Sequence, residues 1–155
     1  AGSAPSNIRQ YILENDWLDA IIQLSTDQFM NTGISTYIWV LCKDKPAYRC
    51  GKVQLIDASH CYEQRRKAIG TKRNDISDHC RELIVQAYGE YRNNAVYGDK
   101  PGVYCESKTF GSEEFGYNKI VVERPQRDEN GEIVMKRGKP VADAALRDTE
   151  NVPLV

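Results

Sequence analysis

Residues 18–42, LDAIIQLSTDQFMNTGISTYIWVLC, decide the fold. The two ends of this stretch, Leu18 to Leu24 and Ile34 to Cys42, are rich in the aliphatic, β-branched and aromatic residues of buried strands. Nine residues, Ser25 to Gly33, separate them. That is long for a hairpin turn, and long loops between strands are where function tends to sit. Two readings of Phe29 stay open here: a core anchor under the hairpin, or an aromatic surface set out to stack on a planar ligand. Gly33 likewise either supplies a positive φ or lets the loop approach a ligand closely.

Upstream, Ile8, Tyr11 and Ile12 recur at helical spacing, which predicts a short amphipathic helix over Asn7 to Asn15 with Ser6 as its N-cap. Downstream, a polar connection containing Pro46 leads to Val53, Leu55 and Ile56, a third strand ending at Asp57. From Ser77, the residues Cys80, Leu83, Ile84, Ala87 and Tyr88 fall on one helical face, with Ser77 able to cap and Asp78 complementing the dipole. Residues 89–117 hold Gly89, Gly98, Gly102, Gly111 and Gly116, show little periodicity and read as an extended connection. Asn118 to Glu123 reads as a further strand stopped by Pro125, and Asn130-Gly131 as a type I′ hairpin turn leading into Glu132 to Met135. The remaining residues are polar and aperiodic, as expected of a tail draped over the surface or poorly ordered.

The 155 residues suit one ordinary domain, and 41% hydrophobic with 28% charged residues is the composition of a soluble globular protein. A net charge of −1 argues against a globally basic nucleic-acid binder. No apolar run approaches the roughly 18 to 20 residues that cross a bilayer, so no membrane span is expected. The first residues, AGSAPSNIRQ, are not expected to be a signal peptide, and the missing initiator Met fits the expectation of a chain that begins mid-protein. Five cysteines at irregular spacing, with no CxxC pair, point to neither a disulfide framework nor a zinc knuckle and fit a reducing cytoplasm. The doublets His60-Cys61 and His79-Cys80 are not read as a metal site, because adjacent residues of a helix or strand point in different directions.

Catalytic motifs are missing: there is no GxGxxG, GxxxxGK[ST], GxSxG or HExxH. Asp57 is better read as a turn former at a strand end than as a general base. The feature that remains is basic. Residues 60–73 carry Arg65, Arg66, Lys67, Lys72 and Arg73 against Glu63, a local charge of +4. These cations either clamp phosphates or form a solvated face paired with Asp75, Asp78 and Glu82.

The order of segments, SNIRQYILENDWLDAIIQLSTDQFMNTGISTYIWVLCKDKP, GKVQLIDAS, RRKAIGTKRNDIS, FGYNKIVVERP and LRDTENVPL, resembles the modification subunit of type I restriction-modification systems, an adenine-specific DNA methyltransferase. The resemblance covers nearly the whole chain and is weakest between Glu90 and Ser112. It implies an α/β fold: the C-terminal part of a Rossmann-like sheet that uses S-adenosylmethionine, with an antiparallel strand pair and flanking helices. Residues 1–124 would belong to the catalytic domain and 125–155 to a hairpin and polar extension. The family's glycine-rich cofactor loop and Asn-Pro-Pro-aromatic motif do not occur here, so this chain is expected to lack catalytic residues and tight cofactor binding of its own. The parent would move a methyl group from S-adenosylmethionine to the exocyclic amine of adenine in DNA. By the same resemblance Phe29 would stack on the flipped base, Asn31, Thr32 and Gly33 would flank its pocket, and the basic cluster would contact DNA phosphates. Implied partners are DNA and the specificity and restriction subunits, with exposed strand edges able to pair with a second copy. The alternative is a stand-alone, non-catalytic module for DNA binding or subunit interaction.

Overall fold

The computed structural model describes residues 4–100 and 102–153. They divide into two compact units, Ala1–Phe115 and Gly116–Val155.

The first unit is built on a five-stranded sheet. Its strands are β1 (Leu18–Leu24), β2 (Tyr37–Leu41), β3 (Lys52–Ala58), β6 (Ala95–Lys100) and β7 (Val103–Gly111), in the order β2-β1-β3-β7-β6. Only β1 and β3 run parallel, with Ile21 opposite Leu55 and Ile22 opposite Ile56; every other neighbour is antiparallel. Two further strands, β4 (Glu63–Ile69) and β5 (Lys72–Asp75), form a separate antiparallel hairpin. The fold is therefore mixed α/β with a mostly antiparallel sheet. Both strands predicted from residues 18–42 are present, and the apolar run of β1 suits its buried place between β2 and β3, whereas β2, expected to be buried as well, is an edge strand with Tyr37, Ile38, Trp39 and Leu41 exposed.

Strand alternation sorts the sheet into two faces. Ile22 and Leu24 of β1, Ile56 and Ala58 of β3 and Cys105 of β7 join Cys80, Leu83 and Ala87 of the helix α2 (Asp78–Glu90) in one buried core. A fully buried side chain such as Ile56 contributes about 1.5–3 kcal/mol. Helix α2 starts as the sequence predicts: Ser77 Oγ accepts from the Cys80 N–H at 3.3 Å, and Asp78 occupies the first turn.

One ionic network ties the sheet to the end of α2. Arg49, 5% exposed, donates to Asp19 Oδ2 at 2.8 Å and to the Tyr88 carbonyl at 2.5 Å. Its guanidinium carbon lies 4.2 Å and 4.5 Å from the ring centres of Tyr91 and Tyr88. The Tyr88 hydroxyl donates to the same Asp19 oxygen at 2.6 Å.

Several expectations need correction. Helix α1 spans Ala4–Glu14, so Ser6 lies inside its first turn and does not cap it; Pro5 is tolerated there because first-turn N–H groups have no helical acceptor. Residues 89–117 are no extended connection: they end α2 and then supply β6 and β7. Their periodicity is hidden because the inward positions of β7 hold the small residues Cys105 and Ser107, both fully buried. Ser107 Oγ accepts from Gln54 Nε2 at 2.8 Å and donates to the Arg92 carbonyl at 2.9 Å, so a polar residue serves an interior position. Gly98 adds to the disguise, for a Cβ there would meet the Val103 carbonyl oxygen at 2.5 Å.

In the second unit β8 (Tyr117–Pro125) pairs antiparallel with β11 (Ala142–Pro153), and β9 (Met135–Lys136) pairs with β10 (Lys139–Pro140). The tail expected to be draped or poorly ordered is thus a long strand. Asn130-Gly131 forms no type I′ turn, because only Gly131 has a positive φ; Asp128 organises the loop by accepting from the N–H groups of Asn130 and Glu132. The pair with positive φ at both positions is Arg137-Gly138, between β9 and β10.

Candidate nucleic-acid interface

The loop after β1 is folded by its own polar groups. Gln28 is buried and its Nε2 donates to Ser25 Oγ at 2.5 Å. Asp27 and Asn31 take positive φ, residue types that tolerate the left-handed region. A bridge from Phe29 to Thr32 then closes a tight turn at the tip. Gly33 does not have positive φ, so its first reading falls; a Cβ there would lie 3.5 Å from Asp27 Oδ1. Phe29 is 51% exposed, which removes the core-anchor reading.

The hairpin β4–β5 grips this loop from the side. The Asp27 carbonyl accepts from the N–H groups of Arg73 at 3.0 Å and Asn74 at 3.2 Å. Asn74, also buried, donates its side-chain amide to the Thr26 carbonyl at 2.9 Å. At the tips, a Cβ on Gly70 would lie 3.9 Å from Asn31 Oδ1. The two candidate regions of the sequence, some forty residues apart in the chain, therefore form one surface.

Its charges are unequal in freedom. Asp75 pairs with Arg65 and, at 2.9 Å, with Lys72. The hydrogen bond from Lys72, then that from Arg65, holds the Asp75 carboxyl below the usual carboxylate range. Arg66, Lys67 and Arg73 are exposed and make no ion pair among the described residues. Asp78 pairs with Arg81 on its own helix rather than with the cluster. Sequence reasoning missed Asn74 and Asp27, whose contribution is a backbone clamp that no side-chain pattern signals, and Met30 and Ile69, which are 60% and 47% exposed at the two tips.

The remaining candidates are structural. Asp57 Oδ1 accepts from the Ser59 N–H at 2.9 Å, the turn-forming role expected of it. Cys61, Cys80 and Cys105 are buried in the core, and the Cys61 thiol is held protonated by its hydrogen bond with Cys105 and by burial. His60 stacks on Tyr104 at 4.7 Å. No three His, Cys, Asp or Glu side chains are gathered to hold a metal among the described residues. No helix among them is long and apolar enough to cross a membrane.

The family model described as N-6 DNA Methylase matches residues 1–121. The chain belongs to this family. It is 36% identical over 88 residues to the type I restriction enzyme MjaIX methylase subunit of Methanocaldococcus jannaschii, covering 57% of this chain and 15% of that one. The MjaVIII methylase subunit of the same organism is 32% identical over 92 residues, 59% of this chain and 16% of that one. Among solved structures, the methyltransferase subunit of a type I restriction-modification system from Streptococcus thermophilus matches with a TM-score of 0.54 and 27% identity. That match covers 74% of this chain and 21% of that chain. The chain thus spans about a sixth of the curated relatives it matches.

Proposed function

We propose that this chain is a piece of a type I DNA methylase subunit that supplies part of the target-base pocket and a DNA-facing surface. The observation that carries this reading is the clamp joining the Phe29 loop to the basic hairpin through Asp27, Thr26 and Asn74. It joins a loop that bears an exposed aromatic ring to a hairpin whose Arg66, Lys67 and Arg73 make no ion pair among the described residues, the two chemistries that unstacked bases and phosphates call for. In the parent reaction a methyl group passes from S-adenosylmethionine to the exocyclic amine of adenine. Phe29 stacks on the extruded base while Asn31, Thr32 and Gly33 flank it. Phosphate contact falls first to Arg66, Lys67 and Arg73, and to Arg65 and Lys72 once Asp75 releases them.

The residues of this chain do not make a site for S-adenosylmethionine. At the carboxyl ends of the parallel strands, where such sheets bind ligands, the loop after β1 is filled by Gln28 and by Asn74 on Thr26, and Asp57 near the end of β3 accepts from the Ser59 N–H. Support for a larger Rossmann-like sheet comes from the face opposite α2. There Ile21, Tyr37, Trp39, Leu55, Phe110 and Phe115 line an open cavity of about 500 Å³. Parallel strands are ordinarily covered on both faces, so this face fits a layer contributed by the rest of a methylase. On this reading residues 1–124 belong to the catalytic domain and 125–155 form an extension. The specificity and restriction subunits are its partners in the cytoplasm, and the edge strands β2 and β6 are where a second copy would pair.

Titration tests the DNA-facing surface and the place of the cofactor site, and methylation by the whole subunit separates this reading from a stand-alone binding module. The isolated chain should bind duplex or single-stranded DNA with steep salt dependence and show no micromolar affinity for S-adenosylmethionine by calorimetry. Tight cofactor binding would refute the assignment of the cofactor site to another part of the subunit. In the whole subunit, Phe29→Ala should lower methylation by roughly the 1–3 kcal/mol of one base stack while cofactor affinity stays near wild type. Unchanged turnover would remove Phe29 from the site.

A further inference from the structure

In the second unit, the two-residue turn between β9 and β10 breaks two local rules at once. Its first position is Arg137, held at φ 53°, where a turn with positive φ at both positions favours Asn, Asp or Gly. On either side, Lys136 and Lys139 are direct cross-strand partners, and like charges set opposite each other repel. All three cations are exposed and make no ion pair among the described residues; the ion pairs of this unit join Arg124 to Asp148 and Arg147 to Glu123 instead. Asp128, in the preceding loop, accepts from the N–H groups of Asn130 and Glu132, and no ion pair links Glu129 or Glu132 to the turn. Nor is the turn a loose end. The Val134 N–H donates to the Gln126 carbonyl at 2.9 Å, the Val141 N–H to the Val134 carbonyl at 2.9 Å and the Gln126 N–H to the Val141 carbonyl at 2.8 Å, which ties its base to the ends of β8 and β11.

Local rules given up without a compensating contact inside the fold mark a site whose compensation comes from a ligand. From this geometry we propose that the β9–β10 turn is a second phosphate-contacting element, in which Lys136, Arg137 and Lys139 engage the DNA backbone without reading its bases. The inference rests on the DNA-facing reading above and adds a contact remote in sequence from the Phe29 loop and the β4–β5 hairpin. Phosphates are favoured over an acidic protein segment because a DNA strand repeats its charge at short, regular intervals, so that two flexible lysines and a forked arginine find partners in any register. A two-stranded ribbon is also narrow enough for the major groove.

The test uses the full 155-residue chain and fluorescence anisotropy with a labelled DNA duplex across a salt series. Lys136→Gln with Lys139→Gln should weaken binding severalfold and lower the slope of log affinity against log salt by about 0.9 for each phosphate released. Arg137→Asn keeps a residue suited to positive φ, so it should bind more weakly while its urea midpoint stays at or above wild type; Arg137→Lys should bind as wild type does. These losses should add to those of Arg66→Ala with Lys67→Ala. Polyglutamate of equal charge should compete poorly, and competition equal to that of unlabelled DNA would overturn the assignment to phosphates. Wild-type affinity and slope in the lysine double variant and in Arg137→Asn would overturn the inference and leave the DNA-facing reading standing. Absence of DNA binding by the wild-type chain would overturn both.

Discussion

Two carboxylates, Asp19 and Asp75, each hold an arginine, and the contrast between them separates what folds this chain from what it presents. Asp19 is 2% exposed and its Arg49 partner 5%, with the Tyr88 hydroxyl on the same oxygen. Asp75, half-buried at the end of a two-stranded hairpin, shares itself between Arg65 and Lys72. A buried pair cannot be halved without stranding a charge in low dielectric, whereas an exposed pair exchanges readily with water and counterions. The interior pair therefore ties β1 and the end of α2 to the connection that carries Arg49, and the exterior one holds two of the hairpin's cations in ion pairs.

The largest effect should follow Arg49→Ala, which leaves Asp19 buried without its cation and the Tyr88 carbonyl without its donor. The expected loss is about 3–5 kcal/mol in urea unfolding, a large share of the stability of a domain this size. The double variant Asp19→Leu with Arg49→Met removes both charges and should lose much less. A double variant as unstable as Arg49→Ala would break the comparison, for the pair would then matter through shape rather than charge.

Little of that interior network is legible in the sequence. Arg49 sits in a polar connection beside Pro46, and nothing in the local sequence distinguishes it from a solvated arginine until β1 and the end of α2 converge on it. Strands β1, β2 and β3 and helix α2 are legible because their apolar residues follow strand composition or helical spacing. Strands β6 and β7 are not, since Cys105 and Ser107 replace the expected aliphatics and Gly98 interrupts the run. The candidate site is half legible: Phe29 and the cations are conspicuous in sequence, while their union depends on main-chain hydrogen bonds from Arg73 and Asn74 to Asp27.

On the exterior, Arg66→Ala with Lys67→Ala should leave stability within about 0.5 kcal/mol of wild type, as expected for exposed positions. Its effect belongs to binding. The slope of log affinity against log salt should fall by about 0.7 to 0.9 for each phosphate that is no longer neutralised. An unchanged slope would place these cations away from DNA. Asp75→Asn should act in the opposite direction: it frees Arg65 and Lys72, so affinity for DNA should rise and the slope steepen. A fall in affinity would mean that Asp75 serves to orient those cations rather than to restrain them.

The smallest effect under ordinary conditions, and the one that reaches both the interior network and the hairpin, is the response to pH. Burial, followed by the hydrogen bond to Asp19, pushes the Tyr88 phenol up to about 12 from its ordinary 10. A group that holds its proton more tightly when folded contributes stability that is fully present below its unfolded pKa and lost as pH rises through the folded one. The interior network should therefore hold up to about pH 10 and weaken from there toward pH 12, with Tyr88→Phe removing that part of the alkaline loss. Asp75 is shifted the other way, by Lys72 and then Arg65, so its contribution persists above the ordinary carboxylate pKa and is lost as pH falls through its lowered value. Acid should thus release the hairpin's cations. Across the alkaline range the urea midpoint of wild type should fall more steeply than that of Tyr88→Phe, and across the acid range the DNA affinity of wild type should rise toward that of Asp75→Asn. Equal slopes for wild type and variant at either end would erase the division between the carboxylate that folds the chain and the one that pairs on its surface.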